Sequence, residues 1–177
     1  MTLSLSITLV VASTLLGQTQ NATVPNFSIR ATDGKTYSRD RLRGKPTVVV
    51  FINADCPHNA PAIPEVNELF RQVGSQANFL AFINRDLAGA RAVNRQLKLR
   101  APLLPDKEEK TILALGGSHS LDFAIISSDG KSVKGKWGGV SRNFIGEMQA
   151  TLRQEGAPQL SLNLSRFKTE RRSGCGF

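Results

Sequence analysis

The sequence predicts an α/β fold: a mixed central sheet flanked by helices, with an N-terminal β-hairpin. Three observations carry this prediction. Two nearly unbroken apolar runs, "PTVVVFIN" at 46–53 and "NFLAFINRD" at 78–86, read as strands buried on both faces. Each is followed by a stretch whose apolar residues recur at helical spacing. A third run, "LDFAII", passes through Ser-Asp-Gly into a return strand, the pattern of a hairpin. Strands that alternate with helices imply parallel neighbours, and the hairpin adds an antiparallel one.

The elements follow in order. "FSIRA" is a short strand, "TDGK" a tight turn and "TYSRDRLRGK" a return strand with its connector. Asp-Gly suits that turn because it tolerates positive φ. After the run at 46–53, residues 57–73 read as a helix with Ile63, Val66, Leu69, Phe70 and Val73 on one face. Pro57 suits its first turn, where a missing N–H costs nothing. Pro64 lies inside the pattern, removes one hydrogen bond and predicts a kink. Asp86 is placed to cap a helix over 87–98, with Leu87, Ala90, Val93 and Leu97 inward. "APLLPD" is a short strand, and "KEEKTILALGG" a short helix ended by glycine. Residues 141–156 form a last amphipathic helix with Phe144, Ile145, Met148 and Leu152 inward.

Composition sets the organisation. A chain of 177 residues, 40% hydrophobic and 21% charged, suits one domain with a real core and short extensions. It has no internal repeat of solenoid length. Residues 1–22 carry no charged side chain, and their apolar run, about residues 3 to 16, suits a secretory h-region better than a membrane span. A signal peptide or membrane anchor is expected there. The protein is expected to be exported to the periplasm or the exterior, and to stay at the membrane only if the leader is uncleaved. Residues 23–156 are expected to form the folded domain. Residues 157–177 are expected to form a loose basic tail ending in "SGCGF".

The net charge of +9, from 23 Lys and Arg against 14 Asp and Glu, favours anionic partners. Its densest group is "RFKTERR" at 166–172, a candidate anion-binding face. No aromatic residues interleave with the cations in a stacking pattern, so no specific nucleic-acid partner is expected.

Cys56 and Cys175 are the only cysteines, too few for a disulfide-rich scaffold. Cys56 sits where a strand gives way to a helix. Unpaired N–H groups and the positive end of the dipole stabilise a thiolate there. His58 adds to that effect when protonated, and Asp55 opposes it. Redox motifs often carry a second cysteine three positions on; here that position is Asn59. Cys56 therefore closes no ring within its own motif. Its mixed disulfide would be resolved by an external thiol or by Cys175, whose flanking glycines leave reach open. A Cys56–Cys175 pair, a monothiol mechanism and an inert cysteine all remain open. Cys56, His58, His119 and Cys175 make no metal-binding motif, and no metal or cofactor is expected.

The stretch "FSIRATDGKTYSRDRLRGKPTVVVFINADCP", with Pro64 eight residues after Cys56 and with "PLLPD" and "FAIISSDGKSV" following, resembles the thioredoxin-like superfamily. Within it the chain resembles the redoxin branch of exported thiol–disulfide oxidoreductases, over about residues 24–152. The resemblance implies a thioredoxin-like fold. It implies Cys56 as the catalytic nucleophile; the residues around it add His58 as a group that tunes the thiol, Asn59 as a hydrogen-bond partner of the thiolate or mixed disulfide, and Cys175 or an external thiol as the resolving group. It also implies Pro57, Ser120 and Leu121 at the substrate, and protein or low-molecular-weight thiols and disulfides as partners. Leu121 stands where the superfamily usually has a cis-proline. Asn53 and Val49 stand where a peroxiredoxin would have Thr and Pro, which argues against efficient peroxide reduction. The expected function is thiol–disulfide exchange. The alternatives are a non-catalytic binding module for an anionic or peptide partner, and a weak thiol peroxidase.

Overall fold

A computed structural model describes residues 22–177. The signal peptide or anchor expected at 1–22 falls, up to residue 21, outside the described residues. The hairpin is present: β1 (Ser28–Arg30) pairs antiparallel with β2 (Thr36–Ser38). Then come β3 (Thr47–Ile52), α1 (Asn59–Val73), β4 (Asn78–Ile83), α2 (Leu87–Leu97), β5 (Leu103–Pro105) and α3 (Lys110–Ala114). The chain continues through β6 (Asp122–Ile126), β7 (Val133–Gly138) and α4 (Arg142–Gln154). The main sheet has the order β5-β4-β3-β6-β7. β3, β4 and β5 run parallel, and β6 and β7 are antiparallel neighbours.

β3 is central because all six of its residues are buried, as the unbroken apolar run requires. Alternation sends its side chains to two cores. Val48, Val50 and Ile52 join Ile63, Val66 and Leu69 of α1 with Ile145, Met148 and Leu152 of α4. Val49 and Phe51 join Phe27 of the N-terminal segment with Ile112 and Leu115 around α3. Two crossover helices, α1 and α2, return the chain to parallel strands. Asp86 caps α2 as expected, its Oδ1 accepting from Gly89 N at 2.8 Å.

α1 begins two residues later than Pro57 suggests. Cys56 N donates to Asn53 O at 3.1 Å and Asn59 N donates to Cys56 O at 3.2 Å. Residues 53–58 therefore form a turn, with His58 as the cap position of α1. Pro64 does lie inside α1.

The segment expected to be loose is packed. Ala157, Leu160, Leu162 and Phe167 are buried in the core between the sheet, α1 and α4. Their spacing is irregular because this chain is neither helix nor strand, so it leaves no periodic signal. Side chains of the flanking helices satisfy its backbone. Leu162 N donates to Gln149 Oε1 at 2.5 Å, Asn163 N to Gln72 Oε1 at 2.5 Å and Lys168 N to Glu65 Oε2 at 3.2 Å.

Its three arginines meet groups of the same chain. Arg172 bonds Pro61 O and lies 3.6 Å from buried Glu65. Arg166 lies 3.8 Å from Glu68, and Arg171 stands over the Phe144 ring. Glu68 has its carboxyl held down at about 2, against an ordinary 4.5, first by the bond from Arg71 and then by that from Gln72. A depressed carboxyl stabilises the fold fully above its unfolded value, and this stabilisation fades as pH falls through the folded value. The melting temperature is therefore expected to drop between pH 4.5 and about 2, more steeply in the native chain than in Glu68→Gln. Equal slopes in the two chains would contradict this role for Glu68.

Candidate active site

The site lies at the carboxyl end of β3, where the turn at 53–58, the loop before β6 and the C-terminal segment meet. Cys56 occupies the turn and is 5% exposed, although Pro57 and His58 beside it are exposed. The cover comes from Cys175, whose backbone N–H donates to Cys56 Sγ at 3.0 Å. A backbone donor at the sulfur is what the start of a helix was expected to supply. Here it belongs to a residue 119 positions away.

Both cysteines are free thiols. A hydrogen bond to the Cys56 side chain is the main cause that pushes the Cys175 thiol above its ordinary value, and burial acts in the same direction. Cys175 thus keeps its proton to higher pH than a free cysteine would. Asp55, expected to oppose a thiolate at Cys56, is paired with Arg85, whose Nη2 reaches both carboxylate oxygens at 2.5 Å.

Asn59 is 1% exposed and does not turn to the sulfur. Its Nδ2 donates to Asn53 O at 2.7 Å and its Oδ1 accepts from Ser120 Oγ at 2.7 Å. Ser120 Oγ in turn accepts from Asn53 N at 2.8 Å. This closed set ties the end of β3, the start of α1 and the loop before β6 into one frame around Cys56. Asn59 is therefore a positioning residue. His58 is exposed, and no side-chain bond caps α1 there.

The loop partner of the site is backbone. Leu121, at φ 70, buries its side chain fully in the core, and its N–H donates to Phe51 O at 2.7 Å. The left-handed conformation is unfavourable for leucine, so packing must hold it. No peptide bond among the described residues is cis. Ser118 and Ser120 turn their main-chain groups to the tail. Ser120 N donates to Cys175 O at 2.7 Å, Gly174 N to Ser120 O at 2.9 Å and Phe177 N to Ser118 O at 3.1 Å. Asn53 Nδ2 adds a bond to Gly176 O at 2.5 Å. His119 is exposed beside Ser118.

Two glycines let the tail approach so closely. A Cβ at Gly174 would fall 2.5 Å from Ser120 O, and one at Gly139 would fall 2.3 Å from Arg172 O. The sequence offered Gly174 only as a source of flexibility. The close approach of two backbones is what requires it.

A five-stranded mixed sheet with a cysteine at the strand-to-helix turn, opposite the loop before an antiparallel strand, defines a thioredoxin-like redox protein. The AhpC/TSA family model matches residues 21–153, and the chain belongs to that family. It is 26% identical over 157 residues to the chloroplastic peroxiredoxin Q of Triticum aestivum, covering 85% of this chain and 61% of that one. It is 30% identical over 95 residues to the chloroplastic peroxiredoxin Q of Oryza sativa subsp. japonica, covering 51% and 43%. The chain thus spans about two-fifths to three-fifths of the length of these curated relatives.

Among solved structures, the fold is shared with the exposed lipoprotein thioredoxin Etrx1 of Streptococcus pneumoniae. That match has a TM-score of 0.61 and 22% identity, over 70% of this chain and 97% of that one. A secreted disulfide oxidoreductase of Mycobacterium tuberculosis matches with a TM-score of 0.50 and 20% identity, over 60% and 79%. The family match ends at residue 153, so it includes Cys56 but not Cys175.

Proposed function

We propose that the protein is an exported thiol–disulfide oxidoreductase whose working pair is Cys56 and Cys175. The observation that carries this reading is the 3.0 Å bond from Cys175 N–H to Cys56 Sγ, which puts the two cysteines against each other across the site. The apolar leader supports the export part of the reading.

The reaction balances as follows. The Cys56 thiolate attacks one sulfur of a substrate disulfide, that S–S bond breaks, and the other substrate sulfur leaves as a thiolate that takes a proton. Cys175 then gives up its proton and attacks Cys56 Sγ. The mixed disulfide breaks, the second substrate thiol leaves, and a Cys56–Cys175 disulfide remains. The substrate gains two electrons and the protein loses two. An external dithiol restores the reduced pair by the reverse exchange. Pro57 and His58, exposed at the rim, and the Ser120 backbone are the groups a substrate would meet.

The test uses 5,5′-dithiobis(2-nitrobenzoate) in one equivalent. The native chain is expected to release both coloured thiolates and to lose the mass of two hydrogens. Cys175→Ser is expected to release one and retain the other as an adduct on Cys56. A native chain that keeps the adduct would contradict a resolving role for Cys175.

A second reading, peroxide reduction, is favoured by the relatives' description as peroxiredoxin Q. Cys56 would attack a peroxide oxygen, the O–O bond would break with release of an alcohol or water, and Cys175 would displace water from the sulfenic acid. Against it, Asn53, where a peroxiredoxin would have Thr, turns its amide to Gly176 O. Hydrogen peroxide as sole oxidant separates the two: rapid sulfenic acid formation at Cys56 supports peroxide reduction.

A further inference from the structure

The tail crosses from one core to the other. Phe167 is buried on the α1 and α4 side, while Phe177 packs against the cluster on the α3 side. Leading to the second anchor, residues 174–177 run alongside Ser118–Ser120, joined to them by main-chain bonds and an isolated antiparallel bridge between His119 and Gly176, and they cover Cys56. From Ser173 onward, every bond the tail makes to Ser118, Ser120 and Asn53 uses its main chain. Main-chain pairing of this kind is indifferent to side chains, and an extended peptide can reproduce it. One position is selective. The residue before the cysteine has no room for a Cβ, because Ser120 O would be 2.5 Å away.

We propose that the segment Arg172–Phe177 is a displaceable occupant of a peptide-docking edge, and that the partner taking its place is an extended disulfide-bonded peptide with glycine immediately before its cysteine. The proposal rests on the reading of Cys56 as the nucleophile. The tail keeps Cys56 covered at rest, and the partner's backbone takes over the bonds of Gly174, Cys175 and Phe177 to the loop. Cys56 then attacks the partner's cysteine sulfur, that S–S bond breaks, and the partner's other sulfur leaves as a thiolate. Because the tail is tethered, its local concentration is high, and a free peptide competes only to the extent that the tail lifts.

The experiment uses the full chain carrying Cys175→Ser, so that Cys56 is the sole thiol. The probe is the peptide Ser-Gly-Cys-Gly-Phe as a mixed disulfide with thionitrobenzoate, beside the same peptide with alanine before the cysteine. Adding Gly174→Ala to the chain, with its melting curve intact, is expected to speed both thionitrobenzoate release and iodoacetamide alkylation of Cys56 by about tenfold or more. In that opened chain the glycine peptide is expected to react about tenfold faster than the alanine peptide.

Equal release rates with and without Gly174→Ala, or equal rates for the two peptides, overturn the docking edge while leaving the redox reading intact. No release from either chain overturns the redox reading and this proposal with it. Arg172→Ala, which removes the bond to Pro61 O and the pairing with Glu65, gives the same comparison if Gly174→Ala does not fold.

Discussion

Replacing Cys56 with serine is expected to lower the rate of thiol–disulfide exchange by at least about a thousandfold, because a serine hydroxyl is not an alternative nucleophile near neutral pH. The loss should occur without loss of fold. Cys56 has backbone bonds in the turn at 53–58 that serine keeps, and its sulfur accepts a bond from Cys175 N–H that a hydroxyl oxygen can also accept. Cys175→Ser should instead keep the first half of the reaction and lose the second, so that the protein stops as a mixed disulfide. Exchange rates and intact mass, measured on both variants, check the pair of expectations. A Cys56→Ser chain that still turns over would contradict the assignment of the nucleophile.

Phe167→Ala is expected to destabilise the protein by about 3–5 kcal/mol, the range for removing a fully buried aromatic ring. Phe167 is 1% exposed in the cluster formed with α1 and α4. Its loss leaves a cavity and frees the segment that carries Arg172 and Cys175 to the site. Denaturant unfolding measures the first effect. Faster alkylation of Cys56 measures the second. A cost below about 1 kcal/mol, the size of a surface substitution, would show that the tail is not part of the core.

The sheet and its helices were legible because their signals are periodic or continuous. The apolar run at 46–53 became β3, buried at all six positions, and Asp86 caps α2 as its place before an amphipathic stretch required. The start of α1 was less legible. Pro57 is compatible with a first helical turn, yet bonds between Cys56 and Asn53 and between Asn59 and Cys56 make a turn there instead. The tail was the least legible part. Its charges at 166–172 read as a candidate anion-binding face, whereas Arg172, Arg166 and Arg171 meet Glu65, Glu68 and Phe144 of the same chain.

The site divides in the same way. Cys56 stood out because a cysteine at a strand-to-helix junction has a chemical meaning in itself. Asn59 was read as the substitute for a thiol and as a bond to sulfur. It serves instead as the link between Asn53 and Ser120. That role depends on contacts 61 residues apart, which no local pattern reports. Gly174 was similar: the glycine was visible, but the carbonyl of Ser120 that excludes a side chain there was not.

The central claim is that Cys56 and Cys175 form one redox pair, and it is tested most directly by equilibrating the native chain in a glutathione redox buffer, trapping it with acid and mapping its peptides by mass. The account predicts a bridge joining the peptide that carries Cys56 to the C-terminal peptide that carries Cys175, with glutathione on neither. Cysteines capped separately by glutathione across the whole range of potentials, with no bridged peptide at any of them, would contradict it.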